Sequence, residues 1–314
     1  MEFVRVEKLT KCYGDFIAVD NLSFTVMKGE IFGLLGPNGA GKSTTLSVIT
    51  SLLSIDKGKV KVADYDVSTH KQEAKQFMGI VPQDIAIYMH LNAIENVKFF
   101  ASLYGIRGKE LEEAAKEALD FVGLTGHMKK KPKQMSGGMQ RRLNIACGIA
   151  HRPKLIIMDE PTVGVDAQSR EHILNSIRFL KEKGATIIYT SHYLQEVEEL
   201  CDRIAIMDHG KLIAMGTKDE LISMVTDYKT FFIKIKEETR NNFEDIKKKL
   251  LFQKGVKQVS KDGEVLRIDM QIGEESMENI LSVLMSEGVA IKYITSEVPN
   301  LDTTFLALTG RELR

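Results

Sequence analysis

Nowhere in this chain of 314 residues do about 18 apolar positions follow one another, which excludes a helix that crosses a bilayer by itself. The opening MEFVRVEKL alternates apolar and charged residues as a strand does, and it lacks the unbroken apolar core of a secretory signal. Cysteine is scarce. Cys12, Cys147 and Cys201 are odd in number and widely spaced, with neither a CxxC pair nor a zinc-type cluster, so they read as reduced core thiols of a cytoplasmic protein. Net charge is absent too, because Lys plus Arg and Asp plus Glu both total 43. That balance argues against a protein whose main task is to coat nucleic acid or an anionic membrane. The length exceeds one average domain, and a large domain followed by a smaller one is expected.

What is present is alternation of strands and helices. Phe3 to Val6 and Phe16 to Val26 read as strands, and Ile31 to Leu35 as a buried strand feeding a Gly-rich loop. A helix is expected from Thr44 to Leu53, then strands at Gly58 to Ala63 and Met78 to Val81. From Leu91 to Ala150 the pattern turns helical, with Leu111, Ala114, Ala118 and Phe121 on one face and Gly123 as a stop. Strands and helices then alternate through Leu155 to Met158, Ala167 to Glu182, Ala185 to Thr190, Tyr193 to Leu200, Arg203 to Met207 and Lys211 to Met215. Such alternation implies an α/β sheet with helices on both faces. Beyond about Met224 the order becomes β-α-β-β-α-β, ending in a helix from Leu301 to Leu308 capped by Asn300 and stopped by Gly310. The boundary is expected between residues 226 and 227.

Three groups of residues carry chemistry. GPNGAGKST, from Gly36 to Thr44, matches G-x-x-x-x-G-K-[ST] with the required strand before it and helix after it. Its glycines let backbone N–H groups approach phosphate, Lys42 supplies charge to the β and γ oxygens, and the Ser43 hydroxyl suits Mg2+. LIIMDE, from Leu155 to Glu160, delivers two acids to the same sheet edge: Asp159 for the metal, Glu160 to orient or deprotonate a water. The alternative for these acids is a helix cap. His192 follows the next strand at that edge, where an imidazole reaches a γ-phosphate, although a lone histidine is usually structural. Tyr13, in the turn KCYGD, either stacks on adenine or packs in the core. Gln83 is a weaker candidate for Mg2+ or the attacking water. Between loop and acids stands Met135-Ser136-Gly137-Gly138-Met139. It opens a helix from Gly138 to Ala150 whose N-terminus favours a phosphate, or it is an ordinary N-cap. One helix end cannot serve both faces of a γ-phosphate already held by residues 36 to 43, so the complement would come from a second chain.

In this order the motifs resemble the nucleotide-binding subunits of ATP-binding cassette (ABC) transporters, over Met1 to about Thr226. The resemblance implies an α/β phosphate-loop ATPase fold with an antiparallel β subdomain and a helical subdomain. To these the β-α-β-β-α-β region adds a small ferredoxin-like α+β domain. It implies that ATP and Mg2+ are bound by Tyr13, Gly36, Pro37, Asn38, Gly39, Ala40, Gly41, Lys42, Ser43, Thr44, Gln83 and Asp159, with Glu160 and His192 acting on the γ-phosphate. Ser136 to Met139 falls on the family signature and residues 163 to 166, with Asp166, on the loop that crosses between sites. Each ATP would lie between the loop of one copy and the signature of another, giving a homodimer that drives a separate transmembrane permease from the inner face of the membrane. Met135, Met139 and Gly164-Val165 depart from the family pattern. DHGKLIAMGTKDEL and the ending VPNLDTTFLALTGRELR are similar to ATPases of type-two exporters.

Asp84 to Leu91, DIAIYMHL, is apolar enough to receive a helix from the membrane subunit or to pack in the core. Lys129, Lys130, Lys131 and Lys133 read as a solvated loop, and no nucleic-acid partner is expected. The rival readings are a soluble member of the superfamily acting in translation or DNA maintenance, and a regulatory module without turnover. The first would carry two cassettes or a long heptad insertion, which this sequence lacks; intact Glu160 and His192 oppose the second.

Overall fold

The first strand is longer than its alternation suggests, and local backbone geometry explains why. In the computed structural model, which describes residues 1–225, 228–236, 243–274, 276–297 and 300–310, it runs Glu2–Tyr13. Lys8 takes a φ of 47° and the register against Phe16–Met27 slips between Val6 and Leu9. Pairing continues across that bulge while the in–out alternation breaks. These two strands join Lys57–Val62 and Tyr65–Asp66 in a four-stranded antiparallel sheet.

A second sheet has six strands in the order Lys211–Gly216, Arg203–Asp208, Ile31–Leu35, Thr186–Thr190, Leu155–Asp159, Met78–Val81. All neighbours are parallel except the first pair. Ile31–Leu35 and Thr186–Thr190 are buried along their whole length, as strands covered on both faces must be. One apolar core joins the two sheets, with Val4, Leu9, Leu22 and Val60 from the first meeting Phe32, Leu34, Ile157 and Met207 from the second.

The order of that sheet positions the site. Ile31–Leu35 feeds the Gly-rich loop and the helix Lys42–Ile49, Thr186–Thr190 leads to His192, and Leu155–Asp159 ends at the two acids. The three strands are consecutive neighbours, so their carboxyl ends lie side by side, where open α/β sheets bind ligands. The helical stretch comprises Ala93–Leu103, Gly108–Phe121 and Gly137–Ile149. Asn92 and Glu95 form a reciprocal capping box on the first, and Gly123 follows the second with a φ of 67°.

Residues Asp219–Ala307 form a compact unit of their own, and Met1–Lys218 make up the bulk of the other. The smaller unit has an antiparallel sheet in the order Val256–Asp262, Val265–Gln271, Tyr228–Ile235, Ile291–Glu297. With the helices Phe243–Leu251 and Met277–Ser286 it encloses Ile233, Leu250, Ile268, Ile280 and Leu284. That is the split β-α-β arrangement. Asn300 caps the helix Leu301–Thr309 by accepting from the Thr303 amide at 2.9 Å. The expected boundary at residues 226 and 227 lies outside the described residues, as do positions 298–299 and 311–314 of the C-terminal likeness.

Candidate active site

The Gly-rich loop closes on itself through its lysine. Lys42 is buried, and its ammonium donates to the carbonyls of Gly36 at 2.6 Å and Pro37 at 3.1 Å. Burial lowers the pKa of this ammonium, while the neighbouring Glu160 and Asp159 carboxylates oppose that shift. Gly41 sits at a φ of 99°, and a Cβ there would stand 2.5 Å from the Ala18 carbonyl, so neither conformation nor space admits another residue.

Asp159 and Glu160 are tied to the next strand by one hydroxyl. Thr190 Oγ1 donates to Asp159 Oδ1 at 2.6 Å and accepts from the Glu160 amide at 3.0 Å. Glu160 adopts a φ of 48°, uncommon for a residue with a side chain, which bends the chain away from the sheet just where the acid is needed. Its buried carboxylate then gathers two partners on Oε2: Gln83 Nε2 donates at 3.1 Å, and His192 Nδ1 lies 3.3 Å away.

A cleft of about 440 Å3 is lined by Tyr13, Asn38, Gly39, Ala40, Gly41, Lys42, Ser43, Thr44, Gln83, Glu160 and His192, while Gly36, Pro37 and Asp159 are not part of its lining. Tyr13 is 49% exposed, so of its two readings the core one fails. Val163, the first residue of the expected crossing loop, also lines the cleft, as do Phe16 and Ala18, which the sequence does not single out. Their side chains carry no polar signal; only the pairing of Phe16 with Tyr13 across the hairpin places one of them.

Ser136, Gly137, Gly138 and Asp166 do not line that cleft. Ser136 caps the helix Gly137–Ile149, its Oγ accepting from the Met139 amide at 3.3 Å. Asp166 caps Ala167–Glu182, accepting from the Ser169 amide at 2.9 Å. The two glycines differ. A Cβ on Gly138 would stand 2.3 Å from Ser169 Oγ and 3.1 Å from Asp166 Oδ2, so this glycine lets the two helix starts pack together. A Cβ on Gly137 would meet nothing within 4 Å, and both Ser136 and Gly137 face solvent. Met135 is buried.

The signature helix is nevertheless linked to the cleft. Arg141 donates to the backbone carbonyls of Pro82 at 3.1 Å and Gln83 at 2.5 Å, and Asn144 Oδ1 accepts from the Ala86 amide at 3.2 Å. Asp84 to Leu91 forms no helix or strand, and Tyr88 and Met89 are exposed, with the Tyr88 ring 4.8 Å from that of Phe99. The four lysines at 129–131 and 133 are exposed, as a solvated loop requires.

A Gly-rich loop closed on its lysine, with a buried acid and a histidine at the same sheet edge, is the arrangement of a phosphate-loop nucleotide hydrolase. Comparison with known proteins gives the particular family. Residues 19–163 match the family model "ABC transporter". The linearmycin resistance ATP-binding protein LnrL of Bacillus subtilis (strain 168) is 44% identical over 319 residues, covering 99% of each chain. The Nod factor export ATP-binding protein I of Rhizobium sp. (strain N33) is 34% identical over 303 residues, covering 96% of this chain and 95% of its own. Among solved structures, a dimeric post-hydrolysis state of an ATP-binding cassette bound to ADP and Pi superposes with a TM-score of 0.63. It is 27% identical and covers 68% of this chain and 98% of that one. The chain belongs to the ABC transporter family as an ATP-binding subunit, and it is an ATPase.

Proposed function

We propose that two copies of this chain close around two molecules of Mg-ATP and drive export through a separate membrane subunit. The observation that carries this reading is the division of the site. The cleft gathers the loop, Glu160, His192, Gln83 and Tyr13, while Ser136 and Gly137 stand exposed with free space above Gly137. A helix N-terminus left open in this way suits a phosphate held by another copy.

Within each composite site, the exposed Tyr13 ring offers a stacking face for adenine, and the loop amides with Lys42 neutralise the phosphates. The donors near the γ position are hard oxygens: the Ser43 hydroxyl, the Asp159 carboxylate and the Gln83 amide oxygen. Such a sparse set suits magnesium, which binds one or two carboxylates plus phosphate and retains water. When bound it would supply charge stabilisation at the phosphate oxygens. Glu160 takes the proton of the water whose oxygen attacks the γ-phosphorus as the bond to the β-bridging oxygen breaks. Gln83 and His192 keep the carboxylate aimed.

Export follows from the relative named for Nod factor export and from the resistance protein that matches over the full length. The exposed rings of Tyr88 and Phe99 with Met89 give a membrane subunit an apolar surface to grip. No helix among the described residues is long and apolar enough to cross a membrane, so the permeation path belongs to that subunit and this chain would sit on the cytoplasmic face. Glu160→Gln tests the reading: ATP still binds, turnover falls by about two to four decades, and light scattering detects accumulated dimer. Turnover equal to the parent's would remove Glu160 from its role.

A further inference from the structure

Glu196 lies four residues beyond His192 in the helix Leu194–Leu200 and is 4% exposed. One of its oxygens, Oε2, accepts from three hydroxyls: Thr162 at 2.8 Å, Tyr189 at 2.7 Å and Ser191 at 2.8 Å. The other, Oε1, faces Arg170 Nε at 3.5 Å, and that guanidinium lies 4.4 Å from the centre of the Tyr193 ring. The partners come from three segments of the chain, Tyr189 and Ser191 sharing one of them. Thr162 follows Glu160 by two residues, Ser191 immediately precedes His192, and Arg170 lies one turn into the helix that Asp166 caps. Glu196 itself does not line the cleft.

Burying a carboxylate is costly unless its lone pairs are filled, and well-packed apolar side chains often replace buried ion pairs without loss of stability. A staple for packing alone has no need of a charge there. A carboxylate does have one property an apolar group lacks: its hydrogen bonds, and here its ion pair with Arg170, fix distances between separate segments. We propose that Glu196 is a positioning residue for hydrolysis, clamping the segments that carry Glu160, His192 and Asp166 into a single register. This rests on the roles of Glu160 and His192 proposed above.

The test uses the full-length chain, measuring turnover, affinity for a fluorescent ATP analogue and thermal unfolding. Glu196→Ala is expected to lower kcat about a hundredfold, the scale of a 1 Å misplacement, with nucleotide affinity retained. Glu196→Gln keeps an acceptor for the hydroxyls and recovers most of that loss. In a Glu160→Gln background, Glu196→Ala causes a markedly smaller further fall, because one of the groups whose segments it positions is already gone. Unchanged kcat in a folded Glu196→Ala chain, an equal fall in nucleotide affinity, or a fully additive loss with Glu160→Gln would each overturn the proposal. Should Glu196→Ala fail to fold, Thr162→Val and Ser191→Ala carry the test: each lowers kcat about tenfold with affinity retained, and unaltered kcat in both overturns it. Turnover retained by Glu160→Gln alone would instead overturn the underlying reading.

Discussion

Gly137 and Gly138 are adjacent and chemically identical, yet they answer to different demands. Gly138 is required by its own chain, because Ser169 and Asp166 occupy the space a Cβ would need. Gly137 has nothing within 4 Å of that position, so no contact inside the chain asks for a glycine. If the signature meets a phosphate held by a second copy, the demand on Gly137 comes from there. Gly138→Ala should therefore lower stability by about 1–3 kcal/mol through overpacking, and Ser169→Gly should relieve it. Gly137→Ala should unfold at the parent's temperature and yet lose turnover. Thermal unfolding beside ATPase rates separates the two, and a stability loss in Gly137→Ala would refute the assignment. Such differences are not legible in a sequence, where both positions read only as small and flexible. Thr190 is another case. It serves Asp159 and Glu160 together, but it stands some thirty residues away along the chain, and only the pairing of neighbouring strands brings it there.

At the scale of elements, far more was legible. GPNGAGKST between a buried strand and a helix, and LIIMDE ending a second strand, are local patterns whose geometry follows from neighbouring residues alone, and both occupy the same sheet edge. Alternation signals only the start of the first strand, because Lys8 at a φ of 47° disrupts it partway along Glu2–Tyr13. The caps were legible as residue types but not in their double use. Asp166 holds the start of Ala167–Glu182 through the Ser169 amide, and its hydrogen bonds to Ser169 draw its pKa below the usual aspartate value. A carboxylate with a depressed folded pKa adds stability above its unfolded pKa, and that contribution is lost as the pH falls through the folded value. Asp166→Ala should lower stability at neutral pH through the lost cap. Asp166→Asn, an equally good cap, should restore the stability and remove its dependence on acid pH. If Asp166 also crosses to a second copy, Asn restores stability without restoring full turnover. Unfolding curves at neutral and acid pH with parallel rate measurements check both statements.

At the scale of the whole molecule, the two units each close a core of their own, and every hydrolytic group proposed here lies within Met1–Lys218. On the proposed reading that unit offers only part of an ATP site, since Ser136 and Gly137 face solvent rather than the cleft of their own chain. The geometry yields a complementation test that distinguishes a composite site from a self-contained one. A chain with Ser136→Ala keeps an intact loop but presents a damaged signature; a chain with Lys42→Ala keeps the signature but loses the charge that holds phosphate. Each alone has both of its sites impaired under either arrangement. In a mixed dimer of composite sites, the loop of the Ser136→Ala chain faces the intact signature of the Lys42→Ala chain, and one site of the two is whole. Random pairing of a two-fold dimer makes half of the dimers mixed, so an equimolar mixture should regain about one quarter of parental turnover. In a self-contained site every chain carries its own defect, and mixing regains nothing. Rates of the mixture against those of the separate variants decide between the two arrangements, and a mixture no faster than the mean of its components would rule out the shared site.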